Sequence, residues 1–293
     1  MKRITIFAKG NVDIHDSLHS CRIGGELRWN GINECLKDDH PDVRVRLRHE
    51  TLTRFDALLA ATGQVPDAFD GRDLELGTYP LASQFSDKLF TTACDAAVLS
   101  ILPDIATPML RHKRDGFLFY PPPESESWGE QDRDWLRENF EKDPLVDVET
   151  SMENLAAIVE RLQAEHDVPV LVCNMSPIIP GDMVHCHLGL EDIYSTRVKR
   201  FNLALIELSQ AIGISIVDID AIVARGGADR MKVDAMHLTP QGYEAVANEV
   251  VRILSDLGTL DSDDVAKTPD MHNMRTSSPG SQSQGKQMVG AIS

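Results

Sequence analysis

Asp234 and His237 are separated by two residues and stand just before a threonine and a proline. Thr239 is a good N-cap residue and Pro240 suits the first turn of a helix, so the pair is predicted to lie in a short loop at the start of a helix. A carboxylate in that position can hold one nitrogen of an imidazole while the other nitrogen faces a cleft. The spacing therefore indicates the orienting and basic members of a catalytic triad, although a surface turn could have the same sequence.

The elements that must position this pair alternate between strands and helices. Buried strands are predicted from the runs RITIFA, DVRVRLR, DAAVLSIL, VPVLVC and ISIVDI, with amphipathic helices between them. This order predicts an α/β fold with a doubly wound, mostly parallel sheet and helices on both faces. In such sheets the functional loops follow the carboxyl ends of the strands. Residues 1–258 are predicted to form one such domain, and residues 259–293 a disordered tail.

The charge and cysteine content of the chain restrict its partners and its compartment. A formal net charge of −17 over 293 residues argues against nucleic acid or an anionic membrane as a partner. The five cysteines form no Cys-x-x-Cys pair and are interpreted as reduced and structural. The N-terminal stretch MKRITIFAKG is too short in apolar length for a signal peptide, and no run of about 18 apolar residues is present. We therefore expect a cytoplasmic protein that acts on a small molecule.

A candidate nucleophile lies early in the chain, in the tetrapeptide HDSL after the first predicted strand. With the C-terminal half, from NLAAIVERLQAEH to DAMHLTPQGYEAVANEVV, this tetrapeptide resembles the SGNH (GDSL) hydrolases, over most of residues 1–257. The resemblance implies a flavodoxin-like, three-layer fold of the SGNH-hydrolase type. It also implies a triad in which a serine attacks an ester carbonyl. Carried over by motif, Ser17 is the nucleophile, Asp234 the orienting carboxylate and His237 the base.

Several positions depart from the pattern of that family. His15 stands at the motif glycine, and Gly10-Asn11 is an alternative strand-end turn that would keep a glycine but lose the serine. His49 falls where the second family block has its glycine, and Asp104 falls near the asparagine of the third block. An ionised aspartate donates no hydrogen bond to an oxyanion, and each such donor contributes about 3 kcal/mol. The predicted oxyanion or substrate-binding residues are Asp16, His49, Asp104 and Asn11.

Other features leave alternatives open. Ser17 could simply cap a helix that follows Asp16. His15 and His19 are four residues apart, and His185 and His187 flank a cysteine, so a metal site can be imagined. Neither histidine pair shows ligand spacing matched by a second half, and solvated loops would explain both.

The stretch around residues 104–150 is predicted to be an insertion, with a loop or lid character, that covers the cleft. Near its start Arg111, Lys113 and Arg114 form a short basic run in an acidic chain. This run could hold an anionic substrate group or the phosphopantetheine arm of a carrier, and a solvated loop is the simpler interpretation.

The leading hypothesis is a serine esterase or acyltransferase that forms an acyl-enzyme and needs no cofactor. Its substrate would be a small-molecule or carrier-bound ester. One alternative is a domain of the same fold whose altered oxyanion positions bind a ligand or partner without hydrolysis. Another is a metal-dependent hydrolase that uses the histidine pairs. The acyl group, the acceptor and the oligomeric state are not predicted.

Overall fold

A computed structural model describes residues 1–181 and 194–261 of the chain. Of the predicted tail, residues 259–293, only residues 259–261 are described; residues 262–293 lie outside the described residues, as do His185 and His187. The strands of the described residues are β1 Lys2–Lys9, β2 Cys21–Ile23, β3 Glu26–Trp29, β4 Val43–Glu50, β5 Ala96–Ser100, β6 Met109–His112, β7 Leu118–Phe119, β8 Phe140–Asp143, β9 Val170–Cys173 and β10 Ser215–Val217.

The α-helices follow the strands along the chain. They are α1 Val12–Leu18, α2 Ile32–Asp39, α3 Phe55–Ala60, α4 Leu81–Gln84, α5 Lys88–Thr91, α6 Leu102–Ala106, α7 Glu130–Asn139, α8 Val148–His166, α9 Tyr194–Ile212, α10 Ile219–Gly226, α11 Ala228–Met231 and α12 Pro240–Asp256. Within the described ranges, no helix is both long enough and apolar enough to cross a bilayer.

The central sheet has five parallel strands in the order β10-β9-β5-β1-β4. This is the flavodoxin-like order, in which the winding direction changes between the first strand and its inner neighbour, here β1 and β5. The prediction of a doubly wound α/β fold is confirmed. The carboxyl ends of β1 and β5 are thus the place where a ligand cleft is expected.

Helices cover both faces of this sheet because the side chains of each strand alternate between two apolar clusters. Val98 and Leu171 belong to the cluster that includes residues of α1, α2, α10 and α12. Ala97 and Leu99, from the same strand as Val98, belong to the cluster on α3, α8 and α9. All four side chains are fully buried, so the sheet is a rigid support for the loops at its carboxyl edge.

The last helix forms as its sequence predicts. The Thr239 side chain accepts a hydrogen bond from the backbone N–H of Gly242, and Pro240 occupies the first turn. Tyr243, Val246 and Val250 are buried at helical spacing. The start of α12 is therefore fixed, and so is the loop that precedes it.

Two segments have more regular structure than expected. The polar stretch after β1 forms the helix α1. Within 104–150, β7, β6 and β8 form a three-stranded antiparallel sheet, and Met109 pairs with Asp143 across more than thirty residues of chain. Packed on this sheet is an aromatic cluster that includes Phe69, Phe119 and Phe140. Since these strands are short and their pairing is distant in sequence, local pattern does not predict them.

Candidate functional site

A cleft of about 740 Å³ opens at the carboxyl ends of β1 and β5, beside the start of α12. Asn11 follows β1, Leu102 follows β5, and His237 precedes α12. The cleft is lined by Asn11, Val12, His15, Asp16, His49, Thr51, Gly77, Thr78, Tyr79, Pro80, Leu102, Ala106, Thr107, Tyr120, Met236 and His237. Residues from the two ends of the domain therefore meet in one cavity at the topological switch point.

The Asp234 and His237 side chains form the expected pair. The Nδ1 atom of His237 lies 2.9 Å from Oδ1 and 2.8 Å from Oδ2 of Asp234. Since the ionised carboxylate can only accept, Nδ1–H donates and Nε2 is left as the basic nitrogen. Both side chains are about half exposed, at 49% for His237 and 52% for Asp234, so a proton on Nε2 can exchange with a ligand or with water.

The carboxylate of Asp234 is also held by the loop backbone. The N–H groups of Met236 and His237 each donate to Oδ1 at 2.8 Å. Partial burial acts to raise the pKa of Asp234, but these backbone bonds and the His237 side chain outweigh it and bring the pKa below its ordinary value. Asp234 thus stays ionised and keeps the imidazole in one orientation.

Lys232 anchors the same loop, a role that no sequence pattern predicts. Its ammonium donates to the carbonyl oxygens of Ser176 at 3.0 Å and Ala235 at 3.1 Å. The Tyr194 hydroxyl also donates to the Ala235 carbonyl, at 3.3 Å. Burial lowers the pKa of Lys232 to about 8. Two side chains from outside the 233–237 turn therefore fix the backbone that carries the pair.

Ser17 lies away from the cleft, in the last turn of α1, and this corrects its prediction as the nucleophile. Its side chain is fully buried, and its hydroxyl donates to the Asp13 carbonyl at 2.6 Å. Its own carbonyl accepts a 2.8 Å bond from the Trp29 indole. A hydroxyl bonded to the preceding turn of its own helix and closed off from solvent is not presented to a substrate. Ser17 does not cap the helix either, because the N-cap residue is Asn11.

Gly10 and Asn11 form the turn after β1, as the alternative reading of the motif predicted. A Cβ on Gly10 would come within 2.1 Å of Ile14 Cγ1, so only glycine allows α1 to pack this close to the strand. The Asn11 backbone N–H donates to Asp13 Oδ1 at 3.0 Å. Its side-chain Oδ1 is buried and has no hydrogen-bond partner among the described residues, and Asn11 is one of the residues that line the cleft.

The predicted residues Asp16 and His49 also line the cleft. The Asp16 carboxylate accepts a 2.8 Å bond from His15 Nδ1. The Nε2 atom of His49 is 2.9 Å from the Gly10 carbonyl oxygen. Burial lowers the pKa of His49 to about 4, so the ring is neutral and Nε2–H is the donor. His49 thus supports the turn after β1 and adds no positive charge to the cleft.

Asp104 is not an oxyanion residue, contrary to the prediction. It is fully buried in α6, where it accepts bonds of 2.9 Å from the Phe55 backbone N–H and 2.9 Å from the Ser151 hydroxyl. Burial raises its pKa to about 7. Its carboxyl group ties α3 and α8 to α6, which is a structural role beneath the cleft wall.

Two further interpretations of the sequence were a metal site at His15 and His19 and an anion site at the basic run of Arg111, Lys113 and Arg114. The structure gives these side chains other contacts. The rings of His15 and His19 stack with their centroids 5.0 Å apart, and the described residues hold no cluster of three or more metal-ligating side chains. Arg111 pairs with Asp143 at 2.7 Å, and Arg114 pairs with Asp115 at 2.9 Å. Lys113 donates to two backbone carbonyls near the end of α7. The basic run therefore stabilises the small antiparallel sheet.

Comparison with known proteins finds weak likeness only. No family model and no curated protein matches the chain. Among solved structures, the acetyl xylan esterase AlAXEase is 12% identical, with a TM-score of 0.48 over 86% of this chain and 99% of its own. A lipolytic G-D-S-L protein from Veillonella parvula is 12% identical, with a TM-score of 0.44 over 87% of this chain and 99% of its own. A putative SGNH hydrolase from Slackia heliotrinireducens is 13% identical, with a TM-score of 0.46 over 86% and 98%.

Proposed function

We propose that the chain cleaves an ester, or transfers its acyl group, with Asp234 and His237 acting as a general base directly on the attacking oxygen. The observation that carries this proposal is the pair itself. Its hydrogen-bonded Nδ1 and available Nε2 belong to a histidine that lines a cavity large enough for a small substrate.

In the proposed reaction His237 Nε2 takes a proton from a water molecule, or from an acceptor alcohol, as its oxygen attacks the acyl carbon. The carbonyl π-electrons move to the oxygen and form a tetrahedral oxyanion. When this collapses, the bond between the acyl carbon and the alkoxy oxygen breaks, and the imidazolium returns its proton to the leaving alkoxide. Asp234 remains ionised throughout and stabilises the imidazolium.

The proposed reaction forms no acyl-serine intermediate because no serine is among the described residues that line the cleft. Among the described residues that line the cleft there is neither a serine nor a cysteine. The side-chain amide of Asn11 stands instead at the turn after β1 and can donate to the developing oxyanion through Nδ2. Direct attack by water needs only a base and an oxyanion donor, which are His237 and Asn11 in this proposal.

The test compares three proteins on p-nitrophenyl acetate: wild type, His237→Gln and Ser17→Ala. We expect His237→Gln to lower kcat by about 100-fold or more, since positioned general bases contribute about 10²–10⁴-fold. Ser17→Ala should stay within about threefold of wild type. Equal rates for His237→Gln and wild type, well above the uncatalysed rate, would refute the proposal. A Ser17→Ala variant that loses all turnover while remaining folded would restore the serine mechanism.

A second candidate function is ligand binding without turnover, which is favoured by the same lack of serine and cysteine in the described cleft lining. Under this alternative, no ester in a panel with different acyl lengths would be hydrolysed. The wild-type protein would still bind an ester analogue, with saturation in a calorimetric titration.

A further inference from the structure

The described lining of the cleft includes two tyrosines from separate segments of the chain. Tyr79 lies in the irregular segment before α4, and Tyr120 follows β7. Their ring centroids are 4.6 Å apart with an interplanar angle of 59°. Neither tyrosine hydroxyl forms a hydrogen bond to another described residue, and both tyrosines line the cleft.

One buried amide fixes both tyrosines. The Gln84 Nε2 group donates to the Tyr79 carbonyl at 2.8 Å and to the Tyr120 carbonyl at 3.0 Å. The Gln84 carbonyl oxygen accepts a 2.9 Å bond from the Tyr120 backbone N–H. Gln84 is only 6% exposed. Three bonds from one side chain therefore join the two segments and set the position of the rings before any ligand arrives.

The charges of the cleft favour an uncharged ligand. None of the described residues that line it is a lysine or an arginine, and Asp16 contributes a carboxylate. The nearby Lys9 is almost fully buried and forms a 2.9 Å ion pair with Glu50. Burial raises the pKa of both Tyr79 and Tyr120, so the hydroxyls stay neutral. A phosphate or carboxylate that enters this cleft would lose water without gaining a lysine or arginine partner from the described lining.

We propose that the cleft selects uncharged esters and that Tyr79 and Tyr120, held together by Gln84, form the binding platform for a ring or other flat apolar face of the substrate. This inference rests on the proposed ester chemistry and names its substrate class. It disfavours acyl phosphates and acyl groups carried on phosphopantetheine, because the described lining offers no lysine or arginine to their anionic arms. Gln84 acts as a positioning residue because its bonds go to the tyrosine backbones.

A matched pair of substrates tests the charge preference. Methyl 4-acetoxybenzoate and 4-acetoxybenzoate share the same aryl acetate and differ in one negative charge. After correction for their uncatalysed rates, we expect kcat/KM to favour the methyl ester by about tenfold or more. Equal values, or a preference for the anion, would overturn the inference even if the enzyme is an esterase.

Variants of the tyrosine pair test the platform. Tyr79→Leu and Tyr120→Leu should raise KM for the methyl ester several-fold with little change in kcat. The Phe variants keep the ring and should raise KM less than the corresponding Leu variants. Gln84→Leu should also raise KM, with kcat nearly unchanged. Leu variants with wild-type KM, or variants that lose kcat alone, would contradict the platform role.

Binding measured without turnover separates this inference from the proposed reaction. In His237→Gln, calorimetric titration should show tighter binding of methyl 4-hydroxybenzoate than of 4-hydroxybenzoate, and Tyr79→Leu should weaken the former. If wild type hydrolyses neither ester but this binding pattern holds, the platform stands and the reaction fails. If hydrolysis occurs and the two phenols bind equally, the reaction stands and the platform fails.

Discussion

Two aspartates at the carboxyl edge of the sheet occupy opposite environments. Asp13, in α1, is 5% exposed and receives hydrogen bonds from the Ser100 hydroxyl and the Asn11 backbone. Asp234, before α12, has a side chain that is 52% exposed and binds His237. Burial raises the pKa of Asp13, whereas hydrogen bonds overcome partial burial to lower that of Asp234.

The difference separates a buried joint at Asp13, called the floor below, from the exposed loop that carries Asp234, called the rim. Asp13 joins the turn after β1 to the end of β5 and is not among the described residues that line the cleft. Asp234 sits on a loop that is anchored by Lys232 and faces solvent, so its carboxylate can orient a histidine that exchanges protons. The buried Asp13 carboxyl group therefore has a structural role, whereas the exposed Asp234 carboxylate has a proposed chemical role. The difference in burial explains the difference in role.

The largest expected effect is on catalysis at the rim. Asp234→Asn should lower kcat by about 100-fold or more, because an amide no longer stabilises the imidazolium. The free energy of unfolding should change by about 1 kcal/mol or less, since the group is half exposed. Steady-state kinetics and urea denaturation measure the two quantities.

Asp115→Asn is the matched control for this variant. Asp115 also contacts a histidine three residues away, at 3.0 Å from His112 Nδ1, but neither residue lines the cleft. It should leave kcat unchanged. An Asp234→Asn variant that behaves like the Asp115→Asn control would show that the rim pair is only a surface turn.

The next effect is on stability at the floor. Asp13→Ala should lower the free energy of unfolding by about 2 kcal/mol, because it leaves the Ser100 hydroxyl and the Asn11 N–H without their acceptor. Asp13→Asn should lose less, since an amide oxygen can still accept. Urea denaturation at neutral pH measures both values.

The pH dependence of Asp13 gives an independent check. Since its folded-state pKa is raised, the stability of wild type relative to Asp13→Asn should be greatest at low pH and should fall as pH rises through the folded pKa. A difference that grows with pH would mean that Asp13 is stabilised as a carboxylate, like Asp234, and the contrast between floor and rim would fail.

The smallest effect concerns the anchor beneath the rim. Lys232→Met should lower the free energy of unfolding by about 1 kcal/mol near pH 7, since two carbonyls lose a donor while a buried charge is also removed. The folded-state pKa of Lys232 is about 8 and its ordinary value is 10.5. Between these values the unfolded chain binds more protons, so wild type should gain stability relative to Lys232→Met as pH rises. A flat difference between pH 7 and pH 10 would contradict this placement of the ammonium.

The sequence predicts those parts of the protein whose structure depends on residues close to one another along the chain. The five strands of the central sheet, the last helix and the Asp234–His237 pair all follow from short patterns, and each is present. The Ser17 prediction rests on a tetrapeptide and overlooks the helix, in which Ser17 is buried outside the described cleft lining. At the spacing of one helical turn, Ser17 lies over Asp13 and bonds to its carbonyl.

The remaining features depend on contacts between distant residues. Two of the three bonds of Gln84 span 36 residues to Tyr120, and the small antiparallel sheet pairs β6 with β8 across a helix. Asp104 was assigned from its place after a strand, but the approach of α3 and α8 buries it. No local pattern carries such information, so the cleft wall could not be derived from the sequence.

The most direct test of direct attack by water is the mass of the intact protein during turnover. Wild type mixed with p-nitrophenyl acetate and quenched in acid within the first turnovers should show only the unmodified mass while p-nitrophenol accumulates without a burst. A species heavier by one acetyl group, formed at the rate of the burst and absent in Ser17→Ala, would contradict the account and identify Ser17 as a nucleophile that the buried helix turn must open to expose.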